Sequence, residues 1–144
     1  MVEIVVKKAC TQKEIKDVFK IRTMVFNKER KISKIFERDR KDHDATHFIM
    51  YIEGVPVGCA RLIIKNNKKG KIERIAILKE HRKKGLGGKM ISTIVNFCRN
   101  ETLNEAYVYC EKNKREYFKK QGFLYRKKVR LFLHGILYEM YKSF

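Results

Sequence analysis

Tryptophan is absent from this 144-residue sequence, and proline occurs once. With only eight glycines as well, no stretch reads as a linker or a low-complexity tail. No apolar run approaches the ~20 residues of a membrane-spanning helix. The N-terminus, Met1-Val2-Glu3-Ile4, turns charged too early for a secretory leader. The four cysteines, Cys10, Cys59, Cys98 and Cys110, form no CxxC pair, so no zinc or other metal site is expected. Free thiols in a reducing cytoplasm are the expectation. Acidic residues are also scarce: 16 against 35 basic ones, for a net charge of +19.

What is present fits one domain over residues 1–144, with 44% apolar residues to build a core. The charge excess points to an anionic partner: nucleic acid, an acidic membrane surface or a phosphorylated small molecule. Twenty-four of the basic residues are lysines scattered along the chain, and a general lysine bias gives the same total.

Period-2 and helical spacing predict the order β-α-(α)-β-β-β-α-β-α-β-β. Glu3 to Lys7 reads as a strand. Thr11 and Glu14 form a capping box ahead of a helix carrying Ile15, Val18, Phe19, Arg22 and Phe26 on one face. Arg22 interrupts that apolar stripe. Either it snorkels to water from the stripe edge, or its guanidinium points at a buried anion or carboxylate. Residues 33–42 read as a short helix or loop. Strands follow at 47–53, 57–65 and 71–78, then a helix over 85–101, a strand at 105–110 and a short helix at 113–121. Two closing strands, 127–134 and 136–142, turn at Gly135. The class is α/β (α+β), with a single mixed sheet.

The segment Ile72 to Met90 carries the chemistry. A strand ends near Leu78, and Gly85-Leu86-Gly87-Gly88 opens an amphipathic helix. Glycines let a backbone approach a ligand closely. The first N–H groups of a helix lack internal partners and sit at its positive dipole end, which makes an anion site suited to a diphosphate. Arg82, Lys83 and Lys84 add charge at its mouth. No Gly-Lys-Ser/Thr closes the loop, and GxGxxG fails at Met90, so it is neither a Walker A loop nor a Rossmann fingerprint.

Arg82-Lys83-Lys84-Gly85-Leu86-Gly87 resembles the R/Q-x-x-G-x-G/A motif of the GNAT superfamily of N-acetyltransferases, and Tyr117 to Phe123 resembles that family's aromatic-x-x-x-G-F element. The resemblance covers nearly the whole chain. It implies a mixed sheet of about six to seven strands flanked by about four helices, with acetyl-CoA as co-substrate. By the same resemblance, the amides of Lys83, Lys84, Gly85, Leu86, Gly87 and Gly88 hold the diphosphate beside Arg82. A strand splayed from its neighbour offers the backbone of Ile75, Ala76 and Ile77 to the thioester and pantetheine arm, and Asn113 joins the cofactor site. An N–H on that strand would polarise the thioester carbonyl.

Amine acetylation needs two proton steps. Glu73, on the splayed strand, is the candidate to accept the amine proton. The family uses tyrosine as the acid for the leaving thiolate, and here the pattern is displaced. Counted back from Gly122 the position holds Phe118; counted forward from Asn113 it holds Tyr117. One residue is about 100° of helix rotation, so only one register can hold. Tyr109 is the reserve.

The first half, with Arg22, Glu29, Glu37, Asp39, Asp42 and His47 followed by Gly58-Cys59-Ala60-Arg61, is similar to a branch of small GNAT proteins that some glucosamine 6-phosphate acetyltransferases resemble. That branch's closing G-I-x-H reads Gly135-Ile136-Leu137-Tyr138 here. The resemblance implies that Arg22 and Arg61 bind an acceptor phosphate and that His47 lines the acceptor pocket. The expected partner is thus a small phosphorylated amine, glucosamine 6-phosphate first, with no specific nucleic acid, no membrane and a homodimer left open. Polyamine or protein-lysine acetylation, a silent acyl-CoA sensor and a nucleic-acid-binding module are the rival readings.

Overall fold

Alternating and helical spacings sort the apolar residues onto the two faces of one seven-stranded sheet. The computed structural model describes residues 2–144; Met1 lies outside them. The strands are β1 (Ile4–Lys8), β2 (Thr46–Ile52), β3 (Val55–Lys65), β4 (Lys69–Ile77), β5 (Glu105–Cys110), β6 (Leu124–Leu131) and β7 (Gly135–Ser143). Their spatial order is β1-β2-β3-β4-β5-β7-β6. All neighbours are antiparallel except β4 and β5. A parallel pair needs a crossover, here supplied by helix α3 (Leu86–Asn100).

Helix α1 (Gln12–Arg22) begins at the capping box: Glu14 N–H donates to Thr11 Oγ1 at 3.1 Å, and Thr11 N–H donates to Glu14 Oε1 at 3.1 Å. Past Arg22 the helix widens into π-helical turns over Thr23–Glu29, a form that accompanies functional sites. The charged segment after it holds only a one-turn helix, α2 (Lys34–Glu37). Helix α4 (Arg115–Lys120) precedes β6.

Two cores follow from the pleat. Phe48, Met50, Leu62 and Ile72 face α3, which buries Leu86, Met90, Ile91, Ile94, Val95 and Cys98 at helical spacing. Ile49, Cys59 and Ala76 face the other way, against Val18, Ile21, Val25 and Phe26 of α1 and its extension. Full burial of one such aliphatic side chain is worth about 1.5–3 kcal/mol. Among the described residues, no helix is long and apolar enough to cross a membrane.

The expected element order holds, with one strand displaced by three residues at both ends. The strand expected from Lys127 begins at Leu124. It is an edge strand whose partly buried side chain near its start is Arg126, bound to Glu105 and Glu139, and a charge at that point hides the alternation.

Gly58 packs where a side chain cannot go. A Cβ there would lie 2.7 Å from Ile77 Cδ1 and 3.2 Å from the Ala76 carbonyl oxygen. Gly58→Val should destabilise the protein by about 1–3 kcal/mol through overpacking, read as a lowered midpoint in thermal or urea unfolding.

Candidate active site

Strands β4 and β5 pair only through Lys69–Glu105, Gly70–Ala106 and Lys71–Tyr107. Beyond Lys71 they part, and the β5-facing edge of Ile72–Ile77 has no strand partner among the described residues. Ile75, Ala76 and Ile77 lie on this free edge. A bulge shapes it. Cys59 pairs with Ala76 and Arg61 with Glu73, so β4 carries one extra residue, and Arg74 takes φ +54°. A bulge re-aims side chains: Glu73 and Arg74 both turn toward α1 and α2.

Past Ile77 the chain makes a tight turn at Lys79–His81. Arg82 then fastens the loop. Its Nε donates to the Ile77 carbonyl at 2.8 Å, and its two terminal nitrogens grip Glu29 at 2.6 and 2.7 Å. The Arg82 guanidinium is thus engaged by Glu29 and by the end of β4, which leaves Lys83 and Lys84 as the unpaired charges at the loop mouth among the described residues. Lys83 (φ +64°) and Gly85 (φ +77°) take left-handed backbone and bend the loop into α3. Among the described residues, the amides of Lys83, Lys84, Gly85, Leu86, Gly87 and Gly88 donate to no backbone acceptor. Six amides at the start of a 15-residue helix therefore remain free for an anion.

Helix α4 lies over this helix start. A Cβ on Gly87 would sit 2.5 Å from the Tyr117 hydroxyl, and one on Gly88 3.0 Å from Gln121 Oε1. The two adjacent aromatics of α4 point different ways. Phe118 turns into the core against Phe123, and Tyr117 faces the glycine loop. Burial raises the Tyr117 pKa, so its hydroxyl stays a proton donor at neutral pH. Asn113 lies exposed one turn earlier. Tyr109 lies on the other face of the sheet, its ring 4.4 Å from Lys71 Nζ.

On that other face, four arginines and four carboxylates interlock. Arg22, 1% exposed, donates to Glu37 Oε2 at 2.5 Å and Asp42 Oδ1 at 2.6 Å. Arg61, 0% exposed, holds both oxygens of Asp39 at 2.7 and 2.8 Å and reaches Asp42 and Glu73 at 3.1 Å each. Arg74 reaches Asp39 at 3.1 Å and Glu73 at 3.4 Å, and Arg38 holds Glu37 at 2.6 Å. Arg22 and Arg38 also lie over the Phe19 ring, at 4.8 and 4.6 Å.

These contacts correct the acceptor assignments. Arg22 does not snorkel; it points at carboxylates of its own chain. Neither Arg22 nor Arg61 presents a free guanidinium to a phosphate. His47 is 5% exposed, with Nε2 3.0 Å from the Asp42 carbonyl, and it packs against Phe19 rather than lining an open pocket. Glu73 joins the network through Oε2, while its Oε1 is buried without a partner. Every other carboxylate oxygen of Glu37, Asp39 and Asp42 is engaged.

Glu37, Asp39 and Asp42 entered the sequence reading only through the family resemblance; their pairing with Arg22 and Arg61 was the missed part, though a signal existed. In a chain so poor in acids, four of the 16 fall within residues 37–44. Arg74 and Lys71 gave none, since a charge on a strand reads as solvated.

Comparison with known proteins adds to this geometry. Residues 13–123 match the model of the acetyltransferase (GNAT) family. The uncharacterized N-acetyltransferase YjcF of Bacillus subtilis is 29% identical over 115 residues, covering 80% of this chain and 81% of that protein. YyaT of the same organism is 30% identical over 121 residues, covering 82% and 81%. A GNAT family acetyltransferase from Elizabethkingia anophelis, solved with acetyl-CoA bound, superposes with TM-score 0.80 at 12% identity over 98% of each chain. An acyl-CoA N-acyltransferase from Pseudomonas aeruginosa superposes with TM-score 0.82 at 21% identity, over 99% of this chain and 100% of that one.

Two outcomes follow from the geometry. Burial would raise the Asp39 and Asp42 carboxyls, but hydrogen bonds and charge from Arg61 and Arg22 outweigh it and hold both low. Their contribution is complete above the unfolded value of 3.8 and is lost as pH falls toward the lower folded values. Melting temperature measured against pH should drop on the acid side, and Asp39→Asn should flatten part of that slope while costing about 1.5–3 kcal/mol at neutral pH. Separately, Gly87→Val should displace the Tyr117 ring and crowd the free amides. Coenzyme A affinity, measured by calorimetry, should fall at least roughly tenfold with little change in melting temperature, since a side-chain tip yields more cheaply than backbone.

Proposed function

Because the chain belongs to the acetyltransferase (GNAT) family, and is an acetyl-CoA-dependent N-acetyltransferase, we propose that residues 1–144 act as one catalytic domain acetylating the primary amine of a small acceptor, with glucosamine 6-phosphate the first to test. The single observation that carries this reading is the joining of an opened strand edge, Ile72–Ile77, to a helix start with free amides and a tyrosine hydroxyl over Gly87.

The residues fit the co-substrate. Free N–H groups at a helix N-terminus suit a diphosphate, and Lys83 and Lys84 are exposed beside them. The unpaired edge at Ile75, Ala76 and Ile77 suits an extended amide-bearing arm, as one strand suits another. Asn113, exposed one turn before Tyr117, is assigned to the same arm. When bound, acetyl-CoA supplies an activated acyl thioester. Glu73 Oε1 takes the proton of the incoming ammonium, directly or through a water; what supports this is its position as the one network carboxylate oxygen without a partner. Tyr117 Oη donates a proton to the departing sulfur, with Tyr109 as the alternative donor. Arg82 positions the loop.

The phosphate of glucosamine 6-phosphate can no longer be assigned to Arg22 and Arg61. The net charge of +19 still favours an anionic acceptor over a polyamine. Four free cysteines, three of them buried, favour the cytoplasm, and a homodimer is compatible with this reading.

Release of coenzyme A should be measured against a panel of amines containing glucosamine 6-phosphate and glucosamine. Turnover with at least one amine is expected. Tyr117→Phe should lower kcat by roughly 10²–10⁴-fold, the usual size of a general-acid contribution, with Michaelis constants little changed. Acetyl-CoA binding without turnover on any amine would leave the sensor reading in its place.

A further inference from the structure

We infer that Lys71 is the anchor of an anion-binding subsite, so that the acceptor is an amine that also carries a carboxylate or a phosphate. This rests on the acetyltransferase reading above and names the substrate class of that site.

Lys71 occupies the last paired position before β4 and β5 separate, on the sheet face where the acceptor-side network lies. Its side chain is 15% exposed, yet among the described residues its Nζ makes no hydrogen bond. The nearest carboxylate oxygen, Glu73 Oε2, is 4.0 Å away and already serves Arg61 and Arg74. A desolvated ammonium with so little compensation is costly. Burial is the main cause that pulls its pKa down, and Lys41, Lys65 and Arg61 push the same way against Glu73 alone. The Tyr109 ring, 4.4 Å off, gives the remaining favourable contact. An incoming anion would complete what the protein leaves incomplete.

The surroundings supply the rest of such a subsite. From Tyr109 a groove of about 200 Å³ runs across β5, β7 and β6, lined by Lys69, Tyr107, Arg126, Lys127 and Glu139. Its acids are spent: Arg126 binds both Glu105 and Glu139. Lys69 and Lys127 have no salt bridge among the described residues. Burial raises the Tyr107 pKa to about 12, so that hydroxyl is a donor, not a charge. The groove, which adjoins Lys71 through the Tyr109 ring, therefore offers cations and hydroxyl donors from three strands. Charge-assisted hydrogen bonds to a carboxylate or phosphate are the strong kind. A cationic acceptor such as a polyamine would meet Lys71, Lys69 and Lys127 with only the unpartnered Glu73 Oε1 to offset them.

Two pairs of acceptors separate the sources of the anion: glucosamine 6-phosphate against glucosamine, and an L-amino acid against its carboxamide. Wild-type protein should favour the anionic member of at least one pair. Lys71→Met should lower that anionic-to-neutral ratio of kcat/KM by roughly 10-fold or more, the worth of one hydrogen bond to a charged group. The loss should appear in KM, with the dissociation constant of acetyl-CoA unchanged. A readout free of turnover is titration of lysine-labelled protein with inorganic phosphate and with acetate. The Lys71 resonances should shift with at least one of them, and Lys71→Met identifies those resonances. Turnover of neutral amines as fast as of anionic ones, or an unchanged ratio in Lys71→Met, overturns the subsite and leaves the acetyltransferase standing. No turnover on any amine counts against the acetyltransferase reading instead, and a Lys71 shift would then still report the anion site.

Discussion

One extra residue in β4 governs the site. At Arg74 the backbone takes φ +54°, a region a non-glycine residue enters only when its surroundings hold it there. Two consequences radiate from that point. Glu73 and Arg74, which strict alternation would send to opposite faces, both turn toward α1 and α2. Ile75 and Ile77 return to the α3 side and Ala76 to the α1 side. The bulge lies in the half of β4 that has already left β5, whose pairing ends at Lys71. The strained residue is held from outside the strand: Arg74 donates to the carbonyls of Phe36 and Glu37 and to Asp39. The bulge and the α2 segment thus depend on each other.

That mutual dependence explains why a chain rich in surplus lysine buries arginine. Desolvating an ion pair is expensive, and replacing such pairs with apolar residues is often neutral or stabilising. Burial of Arg22 and Arg61 is therefore poor support for a claim of added stability. Position is the better account. The stretch from Thr23 to Ala45 contains only π-helical turns and one helical turn of regular structure, too little apolar surface to fix its path. Guanidiniums with fixed fork geometry locate Glu37, Asp39 and Asp42 to within hydrogen-bonding distance, and so locate this stretch over the opened edge. Removing one member would strand its partner, a loss of about 3–5 kcal/mol where the pair is fully buried.

The legibility of the chain divides along the same line. Strong periodicity made α3 and the central strands readable, and the glycine loop was readable because its chemistry is local: Lys83 to Gly88 are contiguous, and a helix start is an anion site by construction. The capping box at Thr11 and Glu14 was local as well. What lay hidden was nonlocal. Arg22 stood out as an anomaly in an apolar stripe, but its partners sit 15 and 20 residues away, and sequence offered a ligand's phosphate as readily as the protein's own carboxylates. The tyrosine register was undecidable because a short 3₁₀ turn at Lys112–Lys114 precedes α4, and counting from either end assumes one continuous helix. The bulge left no mark in composition at all.

The charge of +19 takes on a different meaning once the acids are located. Glu14, Asp17, Glu29, Glu37, Asp39, Asp42, Glu73, Glu105, Glu116 and Glu139 all lie in salt bridges. Most of the scarce negative charge is therefore consumed within the molecule, and largely by arginine where the contact is buried. The surplus that remains is mainly lysine, a compact and strongly hydrated charge suited to the surface. Against that background a half-buried lysine is the exception that calls for a cause. Lys83 and Lys84 need none, since they are exposed beside free amides. Lys71 is neither exposed like the surface lysines nor paired like the buried arginines. A net charge describes solubility and encounter with anions in general; an ammonium with one distant carboxylate and no hydrogen bond, where the sheet divides, describes encounter with one anion at one place.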